Sequence, residues 1–259
     1  MASLALDLSG SHALVTGGGT GIGRAVALAL DGCGASVTVL GRREEPLRET
    51  AAMFVSGGGW VTADVTDEAS IAAAVADANA ARGAIAILVN NAGAGDSAPF
   101  RKTSRASWDR MVALNQTSVF SVTQAVLPQI LEQPWGRVIN LASTAGLKGY
   151  AYVSAYVASK HAVVGLTRAL ALELAKTAVT VNAVCPGYTE TPLLDGAVEG
   201  IVRKTGRTSE EARAEIAKTN PQGRLIEVDE VAETVMWLCS AGARSVTGQA
   251  IAVAGGEVM

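Results

Sequence analysis

The chain has 259 residues, 49% of them hydrophobic but only 4% aromatic, with 28 glycines and a formal net charge of -3. That length suits one large core, and the slight negative charge offers no surface for tracking nucleic-acid phosphates. Charges interrupt the longest apolar runs within membrane-spanning length, Asp31 after residues 25–30 and Arg168 and Glu173 after Lys160, so no membrane contact is expected.

The opening MASLALDLSGSHALVTG has neither a basic segment nor a cleavage-like site, and Cys33, Cys185 and Cys239 lie far apart without a CxxC. A reducing, cytoplasmic setting is expected, with no disulfide framework and no metal site. HALVT (12–16) reads as a strand running into Thr16-Gly17-Gly18-Gly19-Thr20-Gly21-Ile22-Gly23 and then a helix. Glycines at 17, 21 and 23 let the backbone turn tightly and approach a pyrophosphate at the helix N-terminus, although a plain turn needing positive φ would use them too. The missing Lys-Ser/Thr ending argues against a P-loop nucleotidase.

A second strand, SVTVL (36–40), ends in Gly41-Arg42-Arg43. A carboxylate at such an end binds the ribose 2′-OH of NAD, whereas an arginine accommodates the 2′-phosphate of NADP. No acid appears before Glu44, so NADP(H) is favoured and NAD(H) remains possible. The alternative is that Arg42 and Arg43 are solvated residues opening the next helix, partnered by Glu44 and Glu45. Further strands follow at WVTAD (60–64), AIAILVN (84–90), GRVINLA (136–142), AVTVNAV (178–184) and AIAVAG (250–255), with helical stretches between them. This alternation predicts a single α/β domain over residues 1–259, a doubly wound parallel sheet of about seven strands in a Rossmann arrangement, with ligands outside the carboxyl ends of the strands. Residues 187–223 break the rhythm and read as a helical lid or insertion.

In YVASK, Tyr156 and Lys160 fall on one helix face, where an ammonium favours phenolate over a phenol whose ordinary pKa is about 10. A solvated helix face is the plainer alternative. Tyr150 and Tyr152 have no lysine four residues on, and either shape a cleft or are packed. His12 and His161 have no partners at metal-ligand spacing, and Ser143 lacks the GxSxG of a hydrolase.

Taken together, TGGGTGIG, the NNAG of Asn90 to Gly93, Asn115 in LNQTSVF, Ser143 in NLAST, YVASK and Pro186-Gly187 resemble the short-chain dehydrogenase/reductase family over nearly the whole chain. STAGLKG and TVNAVCPGYTETPLL are most similar to bacterial β-ketoacyl and polyketide-type ketoreductases. The resemblance implies hydride transfer between a nicotinamide and a ketone or secondary alcohol. Tyr156 would be the acid/base and Ser143 would hold the carbonyl oxygen. Lys160 would lower the Tyr156 pKa and bind the nicotinamide ribose, and Asn115 would hold a proton-relay water unless it is a packing amide. The dinucleotide would lie along Thr16, Gly17, Thr20, Gly21, Ile22 and Gly23, with Asp64 and Val65 at the adenine and Asn91, Ala92 and Gly93 near the adenosine ribose. Pro186, Gly187, Thr189 and Thr191 would meet the carboxamide and pyrophosphate. Asp64 is equally a helix cap, and the two threonines equally turn residues.

The substrate implied is a β-ketoacyl or 3-hydroxyacyl thioester, touching Ala94, Gly95 and Asp96, residues 147–152, and the lid from Leu193; a cyclic or aryl ketone is the alternative. Arg203, Lys204 and Arg207 would meet a phosphopantetheine or CoA phosphate, or are solvated lid charges. Family analogy implies a homotetramer. Among other classes, a non-catalytic dinucleotide sensor would be expected to lack one of the four catalytic groups. A methyltransferase would need an acid ending the second strand.

Overall fold

A computed structural model describes residues 6–259, apart from the side chain of Lys204. Seven strands form one parallel sheet: β1 (His12–Thr16), β2 (Ser36–Gly41), β3 (Gly59–Thr62), β4 (Ile85–Asn90), β5 (Gly136–Leu141), β6 (Val179–Pro186) and β7 (Ala250–Val253). Their order is β3-β2-β1-β4-β5-β6-β7. The order reverses direction between β1 and β4, and the crevice there is where a doubly wound sheet takes its ligand. The expected architecture is therefore present. The third strand stops at Thr62 rather than residue 64: Ala63 N–H still reaches Gly41 O at 2.9 Å, but the chain turns at Val65 and Thr66, where Asp64 Oδ1 accepts the Thr66 N–H.

Alternation along the strands builds two cores. Ala13, Val15, Val37, Val39, Ile87 and Val89 point to the face covered by α1 (Gly21–Gly32) and α9 (Val228–Cys239). Leu14, Leu40, Leu88, Val138 and Val181 point to the other, against α3 (Glu68–Arg82), α5 (Ser118–Leu131) and α6 (Ser154–Glu173). Successive side chains of a strand face opposite ways, so a strand buried on both sides is apolar throughout. Helix α2 (Glu44–Ala51) packs beside β2 and β3.

Two elements depart from simple alternation. Between α4 (Arg105–Val112) and α5 the helix widens into a π-turn, Ala113–Thr117, where the Ser118 N–H reaches back to Ala113 O and the Ser118 hydroxyl takes Leu114 O at 2.6 Å. The irregular stretch after β6 folds as α7 (Pro192–Thr205) and α8 (Ser209–Ala217), which share an apolar cluster of Leu194, Val198, Ala212 and Ile216. Arg213 ties this unit to its base, donating to Glu190 at 2.5 Å and also to Asp195. Among the described residues, no helix is long and apolar enough to cross a membrane.

Candidate active site and dinucleotide cleft

The site is assembled at the carboxyl ends of β1, β4, β5 and β6. Thr16 ends β1, and its Oγ1 accepts the N–H groups of Asn91 and Ala92 at 2.9 and 3.0 Å. The Asn91 amide returns two bonds, to Thr16 O at 2.9 Å and Gly17 O at 3.2 Å. These side chains are committed to locking two loops together, so they act on a ligand by shaping the glycine loop rather than by reaching out. The packing leaves no room for a larger residue: a Cβ on Gly23 would stand 2.3 Å from Gly17 O and 2.4 Å from Asn91 Nδ2. Gly17 and Gly21 have φ of +65° and +53°, which other residues rarely adopt.

Helix α1 begins at this loop. Its N-cap, Thr20, makes no side-chain capping bond, and its first turn holds no acid. The positive end of the helix and its unpaired N–H groups are thus left for an anion, which fits a pyrophosphate. At the end of β2, Arg42 is 69% exposed, and its closest carboxylate is Asp64, at 3.9 Å. Glu45 pairs with Arg48 instead, and Arg43 takes the N-cap position of α2, so Arg42 is not a partner of the helix acids. Asp64 does not cap α3: its Oδ1 accepts the N–H and hydroxyl of Thr66, while Asp67 is the cap, accepting from Ala69 N at 3.1 Å. Those Thr66 bonds are the main reason the Asp64 carboxyl is held below its usual range. Val65 beside it is buried.

Ile22, Asn91, Gly93, Asn115, Tyr156, Lys160, Pro186 and Leu193 line one cleft. The Asn115 amide is fully buried in the π-turn, donating to Ala94 O at 2.9 Å and Met111 O at 3.1 Å and accepting Ala94 N at 3.0 Å. Its side chain therefore fixes the loop after NNAG, and the π-turn marks a helix bent at a site. Asp96, expected at the substrate, is turned away: Ser107 Oγ donates to it at 2.6 Å and Arg110 at 2.7 Å, which anchors the loop to α4. Tyr152 is 64% exposed with φ of +69°, and its carbonyl accepts Ala98 N at 2.8 Å, joining the two loops that flank the cleft.

Ser143 follows β5 and caps a short 3₁₀ turn, Thr144–Gly146, its hydroxyl accepting Ala145 N at 3.1 Å. A Cβ on Gly146 would lie 2.8 Å from Lys160 O, so the absence of a side chain there lets the turn sit directly on α6. Lys160 is 4% exposed, donates to Leu141 O at 2.7 Å and lies 5.7 Å from the centre of the Tyr156 ring. Burial pushes its ammonium down to about 8. The Tyr156 phenol moves the other way: burial raises it, and a hydrogen bond from Ser143 opposes the rise. Burial is thus the first cause acting on the phenol, with the Lys160 ammonium set beside the ring. Cys185, behind this group on β6, is pushed up to about 11 by burial.

At the end of β6, Gly187 N reaches Val253 O at 3.0 Å. Thr189 is buried and donates to Gly187 O at 3.0 Å, while Thr191 is the N-cap of α7. A Cβ at Gly21 would be 3.2 Å from Thr191 Cγ2, so the base of the lid touches the start of α1. Arg207 lies 3.8 Å from Glu215 and Arg203 is exposed. The residues that motif spacing did not reveal are Thr144 and Glu257, gathered with Lys148 around Tyr150: its hydroxyl donates to Glu257 Oε1 at 2.6 Å and lies 2.7 Å from Thr144 Oγ1. Tyr150 is thus bonded between the turn after Ser143 and the tail after β7. With Glu257 lying 107 positions further along the chain, no local pattern signals the contact.

A parallel sheet with an anion-binding helix at its switch point and a phenol–amine pair beside it defines a dinucleotide-dependent oxidoreductase. The family model for the short chain dehydrogenases matches residues 11–202, and the chain belongs to that family. It is 39% identical over 255 residues to the D-beta-hydroxybutyrate dehydrogenase of Cupriavidus necator, covering 97% of this chain and 99% of that one. Among solved structures, a variant of actinorhodin polyketide ketoreductase with NADPH superposes with a TM-score of 0.91 at 41% identity, covering 95% and 97% of the two chains. Levodione reductase gives 0.91 at 32% identity, covering 96% and 98%. These relationships make the protein an oxidoreductase acting on ketones or hydroxyl groups.

Proposed function

We propose that the protein is an NADP(H)-preferring ketoreductase whose substrate is a β-ketoacyl thioester or a similar uncharged, apolar ketone. The observation that carries this reading is the trio of half-buried Ser143 and Tyr156 with buried Lys160 beside an anion-ready helix start, with Arg42 exposed at the end of β2 and 3.9 Å from Asp64. When bound, the dinucleotide supplies the hydride. The Tyr156 hydroxyl gives its proton to the carbonyl oxygen, and Ser143 holds that oxygen as negative charge develops; acid catalysis of this kind contributes roughly 10² to 10⁴-fold. Lys160, held by Leu141 O, keeps an ammonium near the ring as the phenol loses its proton. Asn115 fixes Ala94 and so one wall of the cleft. Arg42, with Arg43 next to it in the chain, would hold the 2′-phosphate.

Exposed Phe120 on α5 and Leu172 on α6 support a homotetramer paired through these helices, which sedimentation of a monomer would refute. A cytoplasmic location accords with the reduced cysteines. The deciding assay compares wild type and Tyr156→Phe with NADPH and NADH against β-ketoacyl thioesters, cyclic ketones and aryl ketones. Turnover of thioesters with NADPH, abolished by the substitution, supports the reading, whereas turnover of cyclic or aryl ketones alone would replace the substrate class. Cofactor binding without turnover of any ketone would favour a sensor.

A further inference from the structure

Bordering the cleft, behind Pro186-Gly187 and the Ser143 turn, lies a charge pair that the hydride transfer does not use. Glu257, in the tail after β7, turns inward until only 2% of its side chain is exposed, and its Oε1 lies 3.2 Å from Lys148 Nζ. The same ammonium donates to Glu257 O at 3.3 Å and lies 4.9 Å from the centre of the Tyr150 ring. Tyr150 Oη donates to that carboxylate oxygen at 2.6 Å and reaches Thr144, the neighbour of Ser143. The other oxygen, Oε2, would stand 3.1 Å from a Cβ on Gly187, at the end of β6. Tyr188, edge-on to Tyr150 at 6.5 Å, closes the group, and its phenol and that of Tyr150 are both pushed up, first by burial and further by the Glu257 charge.

A buried carboxylate persists when it is paired and hydrogen-bonded. Here the pairing has a second consequence. The more buried charge is negative, it sits between the Ser143 turn and the end of β6, and it occupies the ammonium that borders it. A substrate carboxylate entering from this side finds a cation already neutralised and an anion beside it.

Building on the ketone reading above, we propose that Glu257 and Lys148 set the charge selectivity of the cleft, admitting ketones whose acyl end is uncharged (thioester, ester or amide) and rejecting β-keto acids. Glu257 is a specificity residue that acts through Lys148 and through the field it places at the cleft. Glu257→Gln keeps an acceptor for Tyr150 and releases the ammonium for a substrate anion. Lys148→Gln leaves the carboxylate uncompensated.

The test is the ratio of kcat/KM for ethyl acetoacetate to that for acetoacetate, with NADPH, in wild type and both variants. Wild type favours the ester. Glu257→Gln shifts the ratio toward the acid by about tenfold, the size expected of a partly screened unit charge several ångströms away, and Lys148→Gln shifts it the opposite way. General loosening of the wall would lower both substrates together. An unchanged ratio in folded Glu257→Gln, or shifts of the same sign in both variants, overturns the proposal. Calorimetry of 3-hydroxybutyrate and its neutral amide on the NADP⁺-loaded protein separates the two levels of inference. A wild type that reduces neither ketone refutes the ketone reading. Relative tightening of the anion in Glu257→Gln then still supports the role of the pair, and its absence overturns it.

Discussion

Gly23→Ala puts the glycine loop under a defined load. The new Cβ would stand 2.3 Å from Gly17 O and 2.4 Å from Asn91 Nδ2, about 1 Å inside ordinary contact distance. Neither neighbour moves freely. Gly17 follows Thr16, whose hydroxyl holds two N–H groups of the β4 loop, and Asn91 is held by its two bonds back to β1. Overpacking of this kind costs about 1–3 kcal/mol, and losing an Asn91 bond adds about 1 kcal/mol. A loss of about 3 kcal/mol in a chain of this size corresponds to a Tm lower by roughly 6–12 °C. Displacing the loop also moves the N–H groups at the start of α1, so affinity for NADPH should fall by about tenfold or more. Gly32→Ala, near the other end of the same helix with nothing within 4 Å of its Cβ, is the control and should be neutral or stabilising by up to about 1 kcal/mol. Scanning fluorimetry reads the first quantity and fluorescence titration with NADPH the second. A Gly23→Ala protein that melts within a degree of wild type and binds NADPH within twofold would refute the reasoning.

Arg42→Ala should raise the KM for NADPH about tenfold while leaving that for NADH within twofold; equal changes for both cofactors would place Arg42 outside the phosphate site. Lys160, pushed down to about 8, should lose its proton as the pH rises through that value, so the rate of reduction should decline above about pH 8, and a flat profile to pH 9.5 would contradict the assigned role. His12, buried between Gly83 O at 2.7 Å and Thr38 Oγ1 at 2.9 Å, has its pKa lowered chiefly by burial. The folded protein therefore binds the proton less readily than the unfolded chain, so the His12 contribution to stability is complete above about pH 6.5 and is lost as the pH falls toward the depressed folded value. Thermal melts between pH 8 and 5 should show this decline in wild type and a shallower one in His12→Gln.

Much of the fold was legible because strand alternation and glycine placement are local. HALVT followed by TGGGTGIG fixes a strand, a tight turn and a helix within a dozen residues, and the structure places them so. The readings that needed revision depended on which neighbour competes for a group. Asp64 and Asp67 are both acids before one helix, and only the turn geometry at Thr66 decides that the second is the cap. Asp96 resembles a cleft residue until Ser107 and Arg110 on α4 are brought to it. Asn115 stands out through its place in LNQTSVF, but no propensity marks the extra residue of the π-turn around it. Glu257 is the extreme case: its partners Lys148 and Tyr150 lie more than a hundred positions away, joined only by the crossing of β6 and β7.

The Tyr156–Lys160 pair shows how the helix spacing and the observed burial fit together. Four-residue spacing brings the amine to the ring, but burial penalises phenolate and ammonium alike, so the phenol rises and the amine falls. Each charge alone is disfavoured in the cleft. A phenolate formed while the ammonium is in place is a different case, since opposite charges held this close in a site shielded from water attract each other. In the proposed reaction, burial favours the protonated phenol until a carbonyl oxygen takes the proton, and the ammonium would limit the penalty at the moment of transfer. Leu141 O, at 2.7 Å, holds Lys160 in position for that moment. On the proposed mechanism, the same geometry suits the tyrosine to donate its proton and gives the lysine its effect only as the phenolate forms.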